Sequence, residues 1–354
     1  MGAATTTTLP IAAAVCSDGP VDVVTVDPAD DPAMAGWFAA FDACHRHLWP
    51  RDPAWTLDEI RAQAVDRNRW VRTVLLAAVD GGSVTGVAKV EIPESDNRHL
   101  LEVVLAVPPD HRWRGAGTAL VVAVENLALE EGRTVVAVEE ALPVGADAGP
   151  VERFATGHGY SVVLEEVRRD LAVPLPDGRL AAVEQAALPL ADGYDVVTFA
   201  DRWPDHLLDD RVVLGRRMST DPPFGDYDRE EERWDRNRVR RTEELVVKMG
   251  RRLLVAAAVH RDSGRAVGYT EIAVPNDRPE LAHQWDTLVL GDHRGHRLGL
   301  LMKVANLRQL AATSPATTSV TTWNARQNDS MIAVNDALGC VVVGHQREWQ
   351  KRLG

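Results

Sequence analysis

The chain has 354 residues, 45 % of them apolar, and a formal net charge of −13 with an isoelectric point near 5.3. So acidic a chain lacks the broad basic face that a polyanion needs, which argues against nucleic acid as a partner, and its surface mildly favours cations. No apolar run reaches the ~20 residues of a membrane span, and the opening MGAATTTTLPIAAAVCSDGP lacks the basic start of a secretory signal. Cys16, Cys44 and Cys340 are odd in number, far apart and fit no metal or redox spacing. A cytoplasmic protein without a membrane anchor or a metal is expected, as a monomer or homodimer.

Residues 1–20 are rich in Thr and Ala and read as a flexible tail. A strand follows at 21–27 and a helix at 32–48. Thr56 with Glu59 forms a capping box opening a helix over 56–66. Two apolar runs around Asp80-Gly81-Gly82 predict a hairpin over 71–92. A long strand at 100–107, a basic turn, a helix to about 131, a strand at 134–140, a helix near 150–157 and two last strands complete the half. Pro174, Pro176, Gly178, Pro189 and Gly193 mark a join around 172–193. The second half repeats the order: a strand at 194–201, helices to about 250, a hairpin over 253–274, a strand at 284–290, a turn and helix, a strand at 319–324, a helix at 330–338 and a closing strand at 341–353. The charged run DYDREEERWDRNRVRRTEE (226–244) reads as a solvated helix face, with the lining of a substrate entrance as the alternative.

The turns carry the strongest signal. LLEVVLAVPPDHRWRGAGTALVVAVENLAL holds Val107, Arg112, Gly115, Ala116, Gly117 and Thr118. QWDTLVLGDHRGHRLGLLMKVANLRQLAA holds Leu288, Val289, Leu290, Arg294, Gly295, His296, Arg297, Leu298, Gly299 and Leu300. Arg112 and Arg294 lie 182 residues apart, about half the chain. A strand that stops at a basic, Gly-bearing turn and opens a helix turns backbone N–H groups and the positive end of a helix dipole outward, a phosphate or pyrophosphate site. Two copies imply a duplicated domain. The expected class is α/β: a mixed sheet with helices on both faces in each of two domains, 21–180 and 190–354, with ligand at the C-terminal end of the central strand.

V-L-G-D-H-R-G-H-R-L-G-L-L-M-K and V-P-P-D-H-R-W-R-G-A-G-T-A-L both resemble the acetyl-CoA signature of the GNAT N-acetyltransferase superfamily, R/Q-x-x-G-x-G/A, and the element order around them is similar to that fold. The resemblance covers roughly residues 20–354 and implies a tandem GNAT protein with acetyl-CoA as co-substrate and a small-molecule amine as acceptor. Arg297 departs from the signature, standing where its first Gly is usual. T-W-N-A-R-Q-N-D-S-M-I-A-V-N-D-A-L-G-C resembles the family's N-x-x-A/M…Y-x-x-L-G-F segment, which places Asn324 and Asn328 near the pantetheine amides and Asn335 where a Tyr general acid is usual. In the first half Ala148 and Ala155 replace the Asn and Tyr, so that half reads as catalytically degenerate.

Acetyl transfer to an amine needs a polarised carbonyl, a neutral amine and alignment. Backbone N–H groups near Val289 serve the first. Asp286 and His283 on the second central strand are the candidate general bases, with Thr287 a weaker one and Glu102 the nearest first-half counterpart. Trp285 and Trp323 are candidate pocket walls, with core packing as the alternative reading. Direct transfer to an amine by the second half is expected. The alternative is a CoA-binding sensor or interaction protein without catalysis, since neither half has the usual Tyr.

Overall fold

The computed structural model describes residues 14–16, 21–50, 52 and 55–354. Apart from Ala14–Cys16, the tail expected over 1–20 lies outside the described residues. The chain divides into two compact units. The first takes in residues 1–163, 227–229 and 347–354, and the second 164–226 and 230–346.

The first unit runs β1 (Ala14–Cys16), β2 (Asp22–Thr25), α1 (Asp31–Leu48), α2 (Leu57–Val65), β3 (Val71–Asp80), β4 (Ser83–Pro93), β5 (Leu100–Ala106), α3 (Ala116–Glu130), β6 (Val135–Pro143) and α4 (Gly149–Gly157). Local chemistry sets the boundaries. Asp30 caps α1 through its side chain, and the Thr56–Glu59 capping box opens α2 as the sequence predicts. The sheet order is β1-β2-β3-β4-β5-β6, antiparallel except for the β5/β6 pair. Alternate residues of β3 serve opposite faces. Leu76 and Ala78 pack in the cluster that contains Leu120 and Val124 of α3, while Leu75 and Ala77 pack with Met34 and Trp37 of α1. Both faces are covered, so the strands read as near-continuous apolar runs. Trp349 completes this core and donates from Nε1 to Glu140 at 2.8 Å.

The second unit takes most of β7 (Ser161–Ala172), then α5 (Arg179–Ala187), β8 (Tyr194–Ala200), α6 (Leu208–Met218), α7 (Arg236–Lys248), β9 (Arg251–His260), β10 (Arg265–Pro275), β11 (Leu281–Val289), α8 (Leu298–Thr313), β12 (Ser319–Ala325), α9 (Asp329–Leu338) and the first part of β13 (Val341–Arg352). Its sheet order is β7-β12-β11-β10-β9-β8, with only β11/β12 parallel among the registered pairs. Leu254, Ala256 and Ala258 pack with α8, and Leu253, Val255 and Ala257 with α6 and α7.

Two expectations differ from the structure. The pair of strands expected around 157–173 is one twelve-residue strand, β7, because SVVLEEVRRDLA holds no Gly or Pro to break it. The proline-marked join contains α5, whose sequence RLAAVEQAA is made largely of strong helix formers.

Gly86 and Gly268, 182 residues apart on β4 and β10, mark the same close approach in each unit. A Cβ on Gly268 would lie 2.9 Å from the Leu288 carbonyl oxygen and 3.1 Å from Met302 Cε, whereas on Gly86 the tightest neighbour, at 3.0 Å, is the movable tip of Leu120. Gly268→Ala is therefore expected to destabilise the second unit by ~1–3 kcal/mol and Gly86→Ala to cost less, read from denaturant midpoints.

Candidate active site

The central parallel pair opens in both units. The β5/β6 register runs from Leu100↔Val135 to Val103↔Val138, and the β11/β12 register from Leu281↔Ser319 to His283↔Thr321. Beyond those points β5 continues to Ala106 and β11 to Val289. Leu290 N–H is given to Val267 O at 2.9 Å. The period-two alternation of a strand therefore turns the Val289 N–H the other way, into the gap.

The turn after the gap is alike in the two units. Arg112 Nε donates to Val107 O at 3.1 Å and Arg294 Nε to Val289 O at 3.0 Å, so each arginine folds back on the strand end it follows. Arg294 also bonds Asp221 at 2.8 Å. Gly115 and Arg297 are N-caps of α3 and α8, both left-handed (φ 94 and 56), and neither helix start receives a side-chain cap. Arg297 thus adopts the glycine conformation of the signature without the glycine. Ala116, Leu298 and Leu300 are buried in the cores, so they offer a ligand only backbone. His296 bonds Leu190 O through Nδ1 at 2.8 Å, and Thr118 Oγ1 lies 3.4 Å from His158 Nε2. At Gly299 an added Cβ would touch only Thr287 Cγ2, at 4.0 Å, leaving space over the start of α8. Uncapped N–H groups beside that space fit a pyrophosphate.

On the α6/α7 face of the second unit lies a cavity of about 160 Å³, lined by Trp203, Arg211, Trp234, Val239, Thr242, Glu243, Leu253, Glu271, Trp285 and Asp286. A β-bulge builds it. Thr270 pairs with Thr287 and Ile272 with Gln284, so Glu271 on β10 faces two residues of β11. Both of them, Trp285 and Asp286, line the cavity, as a bulge permits and a regular strand does not. Asp286 Oδ2 accepts from Tyr269 OH at 2.7 Å. Burial, together with the neighbouring carboxylates, pushes the Tyr269 phenol well up, so it stays a donor. Burial also raises the Glu271 carboxyl to about 7; Arg211 opposes the rise and Asp286 adds to it. Glu243 accepts from Trp203 N at 2.8 Å and from Arg240 at 2.8 Å. Trp234, Val239, Thr242 and Glu243, all from the charged run 226–244, are part of this lining.

The other predicted residues are distributed differently. His283 lies 3.2 Å from Arg251 Nη1 through Nδ1 and stacks on Trp323, outside the cavity lining that holds Asp286. Asn328 caps α9, accepting from Met331 N at 3.1 Å. Asn335 is fully buried; its Oδ1 accepts from Lys303 Nζ at 2.8 Å and its Nδ2 donates to Asn324 Oδ1 at 3.0 Å. Its amide is spent on the interior, and burial lowers the Lys303 ammonium to about 8. Glu271, Arg211 and Tyr269 were not singled out in the sequence. The available signal was a carboxylate in GYTEIAV, a run otherwise made of strand core.

The first unit lacks the acid pair. Counting back 182 residues, Lys89 stands at the place of Glu271, Val103 at Trp285 and Val104 at Asp286. Lys89 Nζ donates to Glu91 at 2.7 Å and to Gln63 at 3.0 Å.

Among the described residues no group of three or more His, Cys, Asp and Glu could hold a metal ion, and no helix is long and apolar enough to cross a membrane. Tyr269→Phe should leave Asp286 without its donor, cost about 1 kcal/mol, and move the pH dependence of any transfer activity.

The Acetyltransferase (GNAT) family matches residues 34–146. No curated protein matches the chain. Among solved structures, a tandem GNAT protein from the clavulanic acid biosynthesis pathway, without acetyl-CoA, is 28 % identical with a TM-score of 0.78, covering 94 % of this chain and 99 % of that one. A GCN5-related N-acetyltransferase from Sphaerobacter thermophilus is 17 % identical with a TM-score of 0.61, covering 94 % and 96 %, a likeness of fold.

Proposed function

We propose, for a chain that belongs to the GNAT acetyltransferase superfamily as a tandem member, that its second unit transfers an acetyl group from acetyl-CoA directly to the primary amine of a small molecule. One observation carries this reading. A carboxylate pair, Glu271 and Asp286, lines a cavity built on the strand whose C-terminal end opens toward the uncapped start of α8.

In this reading the residues divide the work. The turn 294–300 holds the pyrophosphate with backbone N–H groups. The Val289 N–H donates to the thioester carbonyl oxygen and stabilises the charge that develops there. The carboxylate pair takes the ammonium proton, so that the nitrogen lone pair is free to attack the carbonyl carbon. The new C–N bond forms, the C–S bond breaks, and the thiolate leaves with its electron pair and takes up the second proton, which the nitrogen sheds as it becomes an amide. Asn335 enters as a residue that positions the C-terminal half of α9 against α8 and the end of β12 through Lys303 and Asn324. The first unit, with Lys89 and Val104 in place of the pair, serves structure or ligand binding. A cytoplasmic location and a monomeric or dimeric state belong to the same proposal.

The second reading, CoA binding without transfer, is favoured by the position of Asn335, which leaves no side-chain acid where the family has its Tyr. Thiol release from acetyl-CoA across a panel of amines separates the two. Amine-dependent release supports the enzyme, and binding of acetyl-CoA without release supports the sensor.

A further inference from the structure

The cavity beside Asp286 contains a cation with an unspent hydrogen-bond donor. Arg211 lines it with its side chain 6 % exposed. Its Nη1 is buried without a hydrogen-bond partner. Its ion pair with Glu271 spans 3.7 Å from Nε to Oε1, beyond hydrogen-bond reach. Instead the guanidinium stacks over Tyr269 at 4.6 Å and Trp234 at 4.8 Å. Gly215 makes that stack possible, since a Cβ there would fall 2.6 Å from Trp234 Cδ2 and 3.0 Å from Arg211 Nη1. A buried guanidinium carries five N–H donors, and leaving such donors unmet costs ~1–3 kcal/mol or more. Positions that retain such a group call for an acceptor from outside.

The charges of the cavity are dipolar. Arg211 supplies the positive side, and Asp286 with Glu271 the negative side. Glu243 is already matched by Arg240 and the Trp203 N–H. A plain amine would meet only the negative side. An amine that also bears a carboxylate would meet both, with the planar, bidentate geometry that Arg offers a carboxylate. The space is close to the ~150 Å³ that takes up one benzene ring, and Trp203, Trp234 and Trp285 provide apolar walls.

We infer that the acceptor is a compact amino carboxylate with an apolar side chain, its carboxylate held by Arg211 and its amine delivered to Asp286 and Glu271. This rests on the acetyl-transfer reading above and narrows its substrate.

The test uses the full chain and two matched pairs: phenylalanine with 2-phenylethylamine, and leucine with 3-methylbutylamine. Each pair differs only by the carboxylate. Binding is measured by calorimetry with CoA present, and transfer by thiol release from acetyl-CoA. The carboxylate member of at least one pair is expected to bind and react ten- to a hundredfold better. Arg211→Met should bring that ratio to about one with acetyl-CoA affinity unchanged, and Arg211→Lys should retain part of it. Equal binding within both pairs, preference for the decarboxylated amines, or no binding of any of the four overturns the inference. So does a ratio that survives Arg211→Met in a folded variant. Selective binding of the amino carboxylates without thiol release upholds the ligand class and defeats the transfer reading. Release with the decarboxylated amines alone does the reverse.

Discussion

Asp286→Asn is expected to slow acetyl transfer at neutral pH by ~10²–10⁴, with partial recovery at high pH, where more of the amine is already neutral. Glu271→Gln is expected to remove the ascending limb of the pH–rate profile near neutrality. The sign follows from burial, which lifts the Glu271 carboxyl from 4.5 to about 7. Its proton-accepting form therefore grows as pH rises through 7, and transfer grows with it. Stability runs the other way. A carboxyl whose folded value exceeds its unfolded value contributes fully below about 4.5, and the contribution is lost as pH climbs through 7. The full swing is on the order of 3 kcal/mol. Melting curves of the wild type should fall between pH 5 and 8, and those of Glu271→Gln should flatten. Glu102→Gln, in the first unit, neutralises the carboxylate that accepts from Tyr227 OH at 2.9 Å and should leave transfer intact. If the Glu102 change is the damaging one, the chemistry belongs to the first unit.

Gly299→Leu should weaken acetyl-CoA binding at least a hundredfold while the fold melts where it did. The Cβ meets no atom closer than 4.0 Å, and a leucine suits a helix better than a glycine. What the side chain would fill is the space over the uncapped N–H groups of α8. The matching change at Gly117 is no such probe, because its Cβ would press on Phe154 at 3.1 Å and disturb packing as well. Calorimetric titration of acetyl-CoA beside a thermal melt decides. Undiminished affinity in Gly299→Leu would move the phosphate site elsewhere.

Much of the scaffold was legible because it is written in local patterns. The Thr56–Glu59 box, the Gly81-Gly82 hairpin and the two strand–turn–helix copies each depend on residues a few positions apart. The cavity was not, because bulge and burial are tertiary properties. Asp286 could be picked from its place on the strand before the turn. Its partner Glu271 is fifteen positions earlier on another strand, and only the bulge brings Trp285 and Asp286 to one side with it. Arg211 sat in LDDRVVLGRRM among surface-looking charges, with nothing in the helix period to single it out. Asn335 misled for a related reason. Its register matched a catalytic position, while Lys303, thirty-two residues away, had already claimed its oxygen.

Each phosphate turn contains two residues with left-handed backbone: Trp113 and Gly115 in the first copy, Gly295 and Arg297 in the second. The pairs correspond at the same spacing of 182, and in each copy one member is glycine and the other is not, with the roles exchanged. Each ordinary residue in that conformation carries ~1–2 kcal/mol of steric cost. Mutational tolerance should therefore be reversed between the copies. Trp113 and Arg297 are the replaceable members, and a glycine at either should relax the turn. Gly115 and Gly295 are the ones each copy has left no room to lose, since a second side chain would double the load on one short loop. The two turns thus meet the same backbone problem with opposite solutions, an equivalence that residue identity hides and the dihedral angles keep.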